Sequence, residues 1–284
     1  MDLLSIIKVA RPGFWPTQLW FFVLPFAGRN LFGSPAFWLG CVYVCFPLGL
    51  LIYGWNDLGD AVTDAANPRK DSWLFGARPD AELRHRLPWI IAVSQIPFAI
   101  AFVWIGGPIL LLWFIAVGLA NYTYNNLNFK SRPGLDLLNQ GGYLLVLVLS
   151  SWLCGVPQIG LAALLFGALF AMHSHLFGQL MDVDEDKLQG RHSTAIQIGV
   201  RGSKLLLVAM LVLESIIAAT SFRYQWVAWF LAAGAAFFLF DALLGPRRYP
   251  LRFCQFFFIG WNVIVILSMH YVWKYDVFLI SPSN

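Results

Sequence analysis

Apolar residues gather along the chain into nine runs separated by polar stretches, roughly Phe14–Gly28, Ala36–Trp55, Leu87–Ile105, Pro108–Tyr124, Leu138–Gly155, Leu161–Leu180, Lys204–Thr220, Trp226–Leu244 and Phe253–Trp273. A helix needs about 20 apolar residues to cross the hydrocarbon of a bilayer. The pattern predicts an all-α integral membrane bundle of nine transmembrane helices, with one domain over 1–284. The first run is short and carries Pro16 and Pro25, which leaves its ends poorly defined. The preceding MDLLSIIKVARPGFWP shows no cleavable signal pattern. It reads as a short amphipathic segment lying on the membrane.

Composition agrees with the pattern. The chain is 59% hydrophobic and 12% charged, whereas a soluble domain is about a quarter charged. Placement of charge adds the orientation. With the N-terminus on the cytoplasmic side, every Lys and Arg except Arg29, Arg223 and Lys274 falls on that side. The positive-inside rule therefore predicts a cytoplasmic N-terminus. The long polar connections Asn56–Arg86 and Asp182–Ser203 fall on the same side, where they can overhang a site.

Both connections open on acidic clusters. In WNDLGDAVTDAANPRK, Asn56, Asp60 and Asp64 recur every four residues. If the preceding helix continues, they stack on one face, and Asp57 lies off it. In DVDED, Asp182 and Asp186 repeat the spacing at the end of another apolar run, with Asp184 and Glu185 elsewhere on the helix. Adjacent carboxylates repel unless a cation lies between them. An oxygen-only ligand set suits Mg²⁺, which binds through one or two carboxylates plus substrate phosphates; Mn²⁺ shares the preference. The alternative is a solvated helix end, but a second spaced pair on the same side argues for a diphosphate held through two Mg²⁺. The clusters lie four runs apart, which hints at two similar halves and one extra helix.

Basic residues near the clusters are candidates for the diphosphate oxygens: Arg69 and Lys70, Lys130 and Arg132 in YNNLNFKSRPGLD, and Lys187 and Arg191. Each also has a plain reading as a positive-inside anchor. Lys130 and Arg132 stand out because their short loop sits where the other two can cover it. Asn139 and Gln140 open the fifth run within reach of a head group or acceptor. His173 and His175, two apart, point to different faces, and no carboxylate or Cys at ligand spacing completes a metal site; a place in the acceptor pocket suits them. Glu214 lies inside the seventh run, either shaping a substrate chamber or held as a neutral acid. The four Cys lack zinc spacing. The chain has no Gly-rich phosphate loop, nucleotide fingerprint or nucleic-acid motif.

These segments resemble, in order, the motifs of the UbiA family of intramembrane prenyltransferases. NDLGDAVTDAANPRK is similar to its NxxxDxxxD motif, and DVDEDKLQGRHSTAIQIG to its second, DxxxD motif. YNNLNFKSRPGLD resembles the loop between them, and ARPGFWP the Arg-Pro entry. The resemblance implies Mg²⁺-dependent transfer of a prenyl group from a polyprenyl diphosphate to a lipophilic acceptor, aromatic or lipid, among membrane lipids. It implies Asn56, Asp60, Asp64, Asp182 and Asp186 as metal ligands, with Asp60 and Asp182 central to ionisation. Tyr124, Tyr122, Tyr53 and Trp55 lie near the head-group level. Aromatic faces stabilise cations, though such rings are also ordinary at membrane interfaces. Of these, Tyr124 is the catalytic candidate.

One departure leaves the acceptor open. Arg78-Pro79 is followed by Asp80-Ala-Glu82, where many quinone-pathway members have a small-residue turn. The same fold hosts terpene cyclases, an alternative reading. A transporter with an acidic vestibule is the alternative from another class, but transporters bind near the bilayer midplane, whereas these acids lie at one face.

Overall fold

The computed structural model describes residues 3–60, 67–275 and 277. Regular structure among them is helical, apart from an isolated bridge between Ser72 and Gly76. A surface helix α1 (Leu3–Val9) leads into α2 (Trp15–Val23). Seven helices are long and apolar enough to span a membrane: α3 (Pro35–Gly59), α4 (Ala81–Gly106), α6 (Leu135–Cys154), α7 (Leu161–Leu188), α8 (Thr194–Ser221), α9 (Gln225–Leu244) and α10 (Leu251–Lys274). Between α4 and α6 runs the 17-residue α5 (Ile109–Asn125).

Two of the nine apolar runs are thus helical but shorter than the rest, α2 and α5. Proline accounts for the first. Pro16 occupies the opening turn of α2, where its missing N–H costs nothing, and Pro25 sits in the 3₁₀ turn Leu24–Phe26 that ends it.

Helix α3 carries the first acidic motif and is not uniform. Its Leu50–Gly54 stretch is π-helical, a distortion often found beside functional sites. The helix closes at Gly59, and Asp60 leaves it at φ −103°, ψ 12°. The helix expected to run on to Asp64 therefore stops one turn earlier, and Asp64 lies outside the described residues. Asn56 and Asp60 still meet: the Asn56 amide donates to Asp60 Oδ2 at 2.7 Å.

The bundle wraps a cavity that opens toward the ends of α3 and α7. Helix α8 packs between α7 and α9. The N-terminal segment crosses α3 at Gly49, where an added Cβ would lie 2.6 Å from the Ala10 carbonyl oxygen. That close approach delivers Arg11 to the cavity wall. Large apolar side chains point outward, such as Trp89 and Trp104 on α4. In a membrane this is the lipid-facing surface, which lacks the polar cover of a soluble protein.

Gly199, which ends the second motif's Thr-Ala stretch, breaks α8 with φ 75°, ψ 168°. This lets a short turn of helix, residues 194–198, precede the spanning part. Only glycine adopts this region readily. Gly199→Ala should therefore destabilise the protein by about 1–3 kcal/mol, although nothing lies within 4 Å of its Cβ position. Gly118→Ala, at an equally open position inside α5, should be neutral or stabilising by up to about 1 kcal/mol. Thermal unfolding of the two variants in detergent checks the difference.

Candidate active site

The two acidic motifs come from helix ends far apart in sequence and meet at the cavity mouth. Arg191, in the turn after α7, pairs through one guanidinium nitrogen with Asp60 and through the other with Asp186 Oδ1 at 3.0 Å. Lys130 Nζ lies 2.7 Å from Asp60 Oδ1 and donates to the side-chain oxygen of Asn56 at 3.5 Å. Asp182 pairs with Arg69 and accepts from the Asn67 amide at 2.8 Å. Arg78 donates to the Asn67 carbonyl at 2.9 Å, closing that loop on itself.

Burial pushes the Asp60 carboxyl upward, but Arg191 and Lys130 outweigh it and hold the group below the usual carboxylate range. Burial brings Arg69 down to about 10, still cationic at neutral pH. Burial alone would lower Arg191 too, but Asp60 and Asp186 more than reverse this. The mouth is thus a lattice of carboxylates paired with cations. Its acidic donors, with the Asn56 carbonyl, are all hard oxygens, as Mg²⁺ requires. Among the described residues no three His, Cys, Asp or Glu side chains form a ready cage. An ion that takes few protein ligands and completes its shell with phosphate oxygens fits such a set.

The remaining candidates divide by position. Lys70 lines the cavity and donates to Asp57 Oδ1 at 2.9 Å. Asp57 is fully buried, off the Asn56–Asp60 face, and also accepts from Arg11 at 2.9 Å. It ties the N-terminal segment and the 67–80 loop to the end of α3. Arg132 is exposed, with its guanidinium 5.7 Å from the Phe129 ring centroid, and does not line the cavity. Its turn points it away from the mouth that Lys130 enters. Asn139 accepts from Thr123 Oγ1 at 2.7 Å and donates to the Ala120 carbonyl at 3.1 Å, which binds α6 to α5. Tyr124 lines the cavity, its hydroxyl 3.4 Å from His175 Nε2.

Some of this architecture had no sequence signal. Asp136 is fully buried at the start of α6. It accepts from Gln179 Nε2 at 2.7 Å, from the Thr194 N–H at 2.6 Å and from the Thr194 hydroxyl. The Thr-Ala of the second motif is thereby explained: it docks the turn bearing Arg191 onto the loop bearing Lys130. Arg11 did have a signal, the Arg-Pro of ARPGFWP, and its guanidinium lies 4.6 Å from the Tyr53 ring centroid.

Behind the mouth the main cavity measures about 720 Å³ and is walled largely by aromatic rings of α7, α9 and α10, such as Phe170, Phe237, Phe257 and Trp261. His173 is a polar exception in that wall, 2.5 Å from Glu214 Oε1 on α8. A side chamber of about 140 Å³ runs between α3, α5 and α6 as far as Trp113. Both spaces are bordered by Asn56, Tyr124, Tyr143 and His175.

The pattern of the UbiA prenyltransferase family matches residues 14–264. A lycopene elongase/hydratase of Corynebacterium glutamicum is 29% identical over 211 residues, 72% of each chain. Another, from Halobacterium salinarum, is 30% identical over 179 residues, 60% of each chain. The solved structure of a UbiA homolog from Archaeoglobus fulgidus bound to GPP and Mg²⁺ superposes with a TM-score of 0.70, at 15% identity, over 95% of this chain and 99% of that one. That homolog has also been solved with DMAPP and Mg²⁺. Helical architecture, paired acidic motifs and family match agree, and the chain belongs to the UbiA prenyltransferase family.

Proposed function

We propose that this protein transfers a short prenyl group from its diphosphate to a long, apolar, alkene-bearing acceptor within the membrane, with Mg²⁺ at the acidic motifs. The observation that carries this reading is the meeting of Asn56–Asp60 with Asp182 and Asp186, amid cations, at the mouth of an apolar cavity. Asn56 and Asp60, with Asp64, hold one ion; Asp182 and Asp186 hold the other. When bound, Mg²⁺ neutralises the diphosphate and favours its departure. Arg69, Lys70, Lys130 and Arg191 donate to the outer phosphate oxygens, released from their present carboxylate partners as the diphosphate enters. The Tyr124 ring faces the allylic cation.

Two chambers with shared lining residues support transfer between two substrates over cyclisation of one. A cavity of about 150 Å³ takes up a six-carbon ring, so the side chamber of about 140 Å³ has room for a prenyl chain of one isoprene unit, beside polar groups such as Asn121 and Asn139. The aromatic main cavity suits a long polyene, consistent with relatives named lycopene elongase/hydratase. Counting α2 and α5 as spans gives nine, with the N-terminus and the active site cytoplasmic.

The test is turnover in detergent with Mg²⁺, dimethylallyl diphosphate and lycopene. The expected product is the acceptor heavier by a prenyl unit, and excess EDTA should abolish it while Mn²⁺ partly replaces Mg²⁺. Terpenoid formation without acceptor would support a cyclase instead.

Asp60→Ala and Asp182→Ala should each lower turnover more than 100-fold, about 2.7 kcal/mol of barrier. Lys130→Ala should lower it at least tenfold, about 1.4 kcal/mol. Arg132→Ala should stay within about twofold of wild type; steady-state kinetics on folded protein distinguish these outcomes.

Trp113, held by its indole N–H to the Leu145 carbonyl at 2.6 Å, closes the side chamber. Trp113→Leu should shift donor preference at least fivefold toward geranyl diphosphate over dimethylallyl diphosphate, read as the ratio of kcat/KM values. An unchanged ratio would place the prenyl chain elsewhere.

A further inference from the structure

Prenyl transfer to an alkene leaves a positive charge on the acceptor, and some group must end the reaction there. The metal-binding mouth is a poor place for it, because its carboxylates are engaged with cations. His175 is placed differently. It lies seven residues before Asp182 on the continuous helix α7. Seven residues are two turns less about 20°, so both side chains project from one face, separated by about 10 Å along the axis. A diphosphate and the first carbons of a prenyl chain fill that interval. His173, in contrast, is nine residues from Asp182, half a revolution away, and is engaged with Glu214.

His175 also borders both chambers. If one chamber holds the prenyl chain and the other the acceptor, their reacting carbons meet beside it. Its Nε2 faces the Tyr124 hydroxyl at 3.4 Å, and the two rings stand edge to face at 5.8 Å between centroids. Tyr124 thereby fixes the plane of the imidazole. Nδ1 has no hydrogen-bond partner among the described residues.

Resting on the transfer reading above, we propose that His175 is the proton acceptor that ends the reaction, with Tyr124 as its positioning residue. The acceptor's π pair forms the new bond to C1 of the prenyl group as the C1–oxygen pair leaves with the diphosphate. The adjacent carbon of the acceptor becomes a tertiary cation. A neighbouring C–H bond gives its proton to the imidazole and its electron pair to a new double bond. The proton then passes to the departing diphosphate, and the imidazole returns to its neutral form. A neutral imidazole suits this role because it accepts a proton without placing a permanent charge beside the prenyl cation.

The experiment compares full-length His175→Gln, His175→Phe, Tyr124→Phe and, as a control outside both chambers, His270→Gln with wild type in detergent, using Mg²⁺, dimethylallyl diphosphate and lycopene. Diphosphate release, donor KM and the ratio of prenylated products are measured. His175→Gln keeps hydrogen bonding and His175→Phe keeps the ring volume, so at least one folded variant lacking the base is available. Expected is a donor KM within about threefold of wild type. The share of the wild-type alkene should fall at least tenfold, in favour of double-bond isomers and the water-captured alcohol. Tyr124→Phe should shift the ratio in the same direction by less, and His270→Gln should leave it unchanged. A wild-type product ratio in a folded His175 variant, or a wild type whose prenylated product is the alcohol alone, overturns the assignment while leaving prenyl transfer intact. Absence of any prenylated acceptor with wild type overturns both.

Discussion

The guanidinium of Arg191 between Asp60 and Asp186 is the contact on which the site depends. Two helix ends bearing carboxylates would repel each other in a partly buried mouth, where charge is weakly screened. A single planar cation with a rigid fork of donors satisfies both. It belongs to a group of cations around the acids, Arg69 on Asp182 and Lys130 on Asp60. These ion pairs hold the mouth in shape, and on the proposed reading they are the contacts for which a metal–diphosphate complex would compete.

Support for this lattice is polar and buried. Asp136 gathers donors from α7 and from the first residues of α8, and so fixes the turn that carries Arg191. On the other side Asp57 ties Arg11 and Lys70 to the end of α3. Two carboxylates without a place in the mouth thus hold the loops that complete it. Partly satisfied networks of this kind are expensive, and fully satisfied ones rigidify.

Much of this was legible in the sequence because two periodicities carry it. Apolar runs of bilayer length marked the helices, and four-residue spacing marked Asn56 with Asp60 and Asp182 with Asp186. What escaped was set by local backbone or by tertiary contact. The end of α3 at Gly59 could not be read from spacing that suits a continuing helix equally well. Arg132 and Lys130 are two apart in one loop and look equivalent as charges, yet the turn aims one at Asp60 and the other outward. Asp136 and Thr194 meet only through the fold, so neither carries a signal alone. For α2 and α5, apolar composition was clear and helix length was not, since proline placement and loop entry decide it.

The His173–Glu214 pair bears on how the chain enters the bilayer. A carboxylate alone at the centre of a spanning helix raises the cost of insertion by about 2.5–3.5 kcal/mol. Glu214 would carry that penalty if α8 met lipid by itself. Its partner lies on α7, the helix made just before it, and the two are joined by a short connection. The pair therefore favours entry of α7 and α8 into lipid together, as a hairpin in which the acid is covered by its partner.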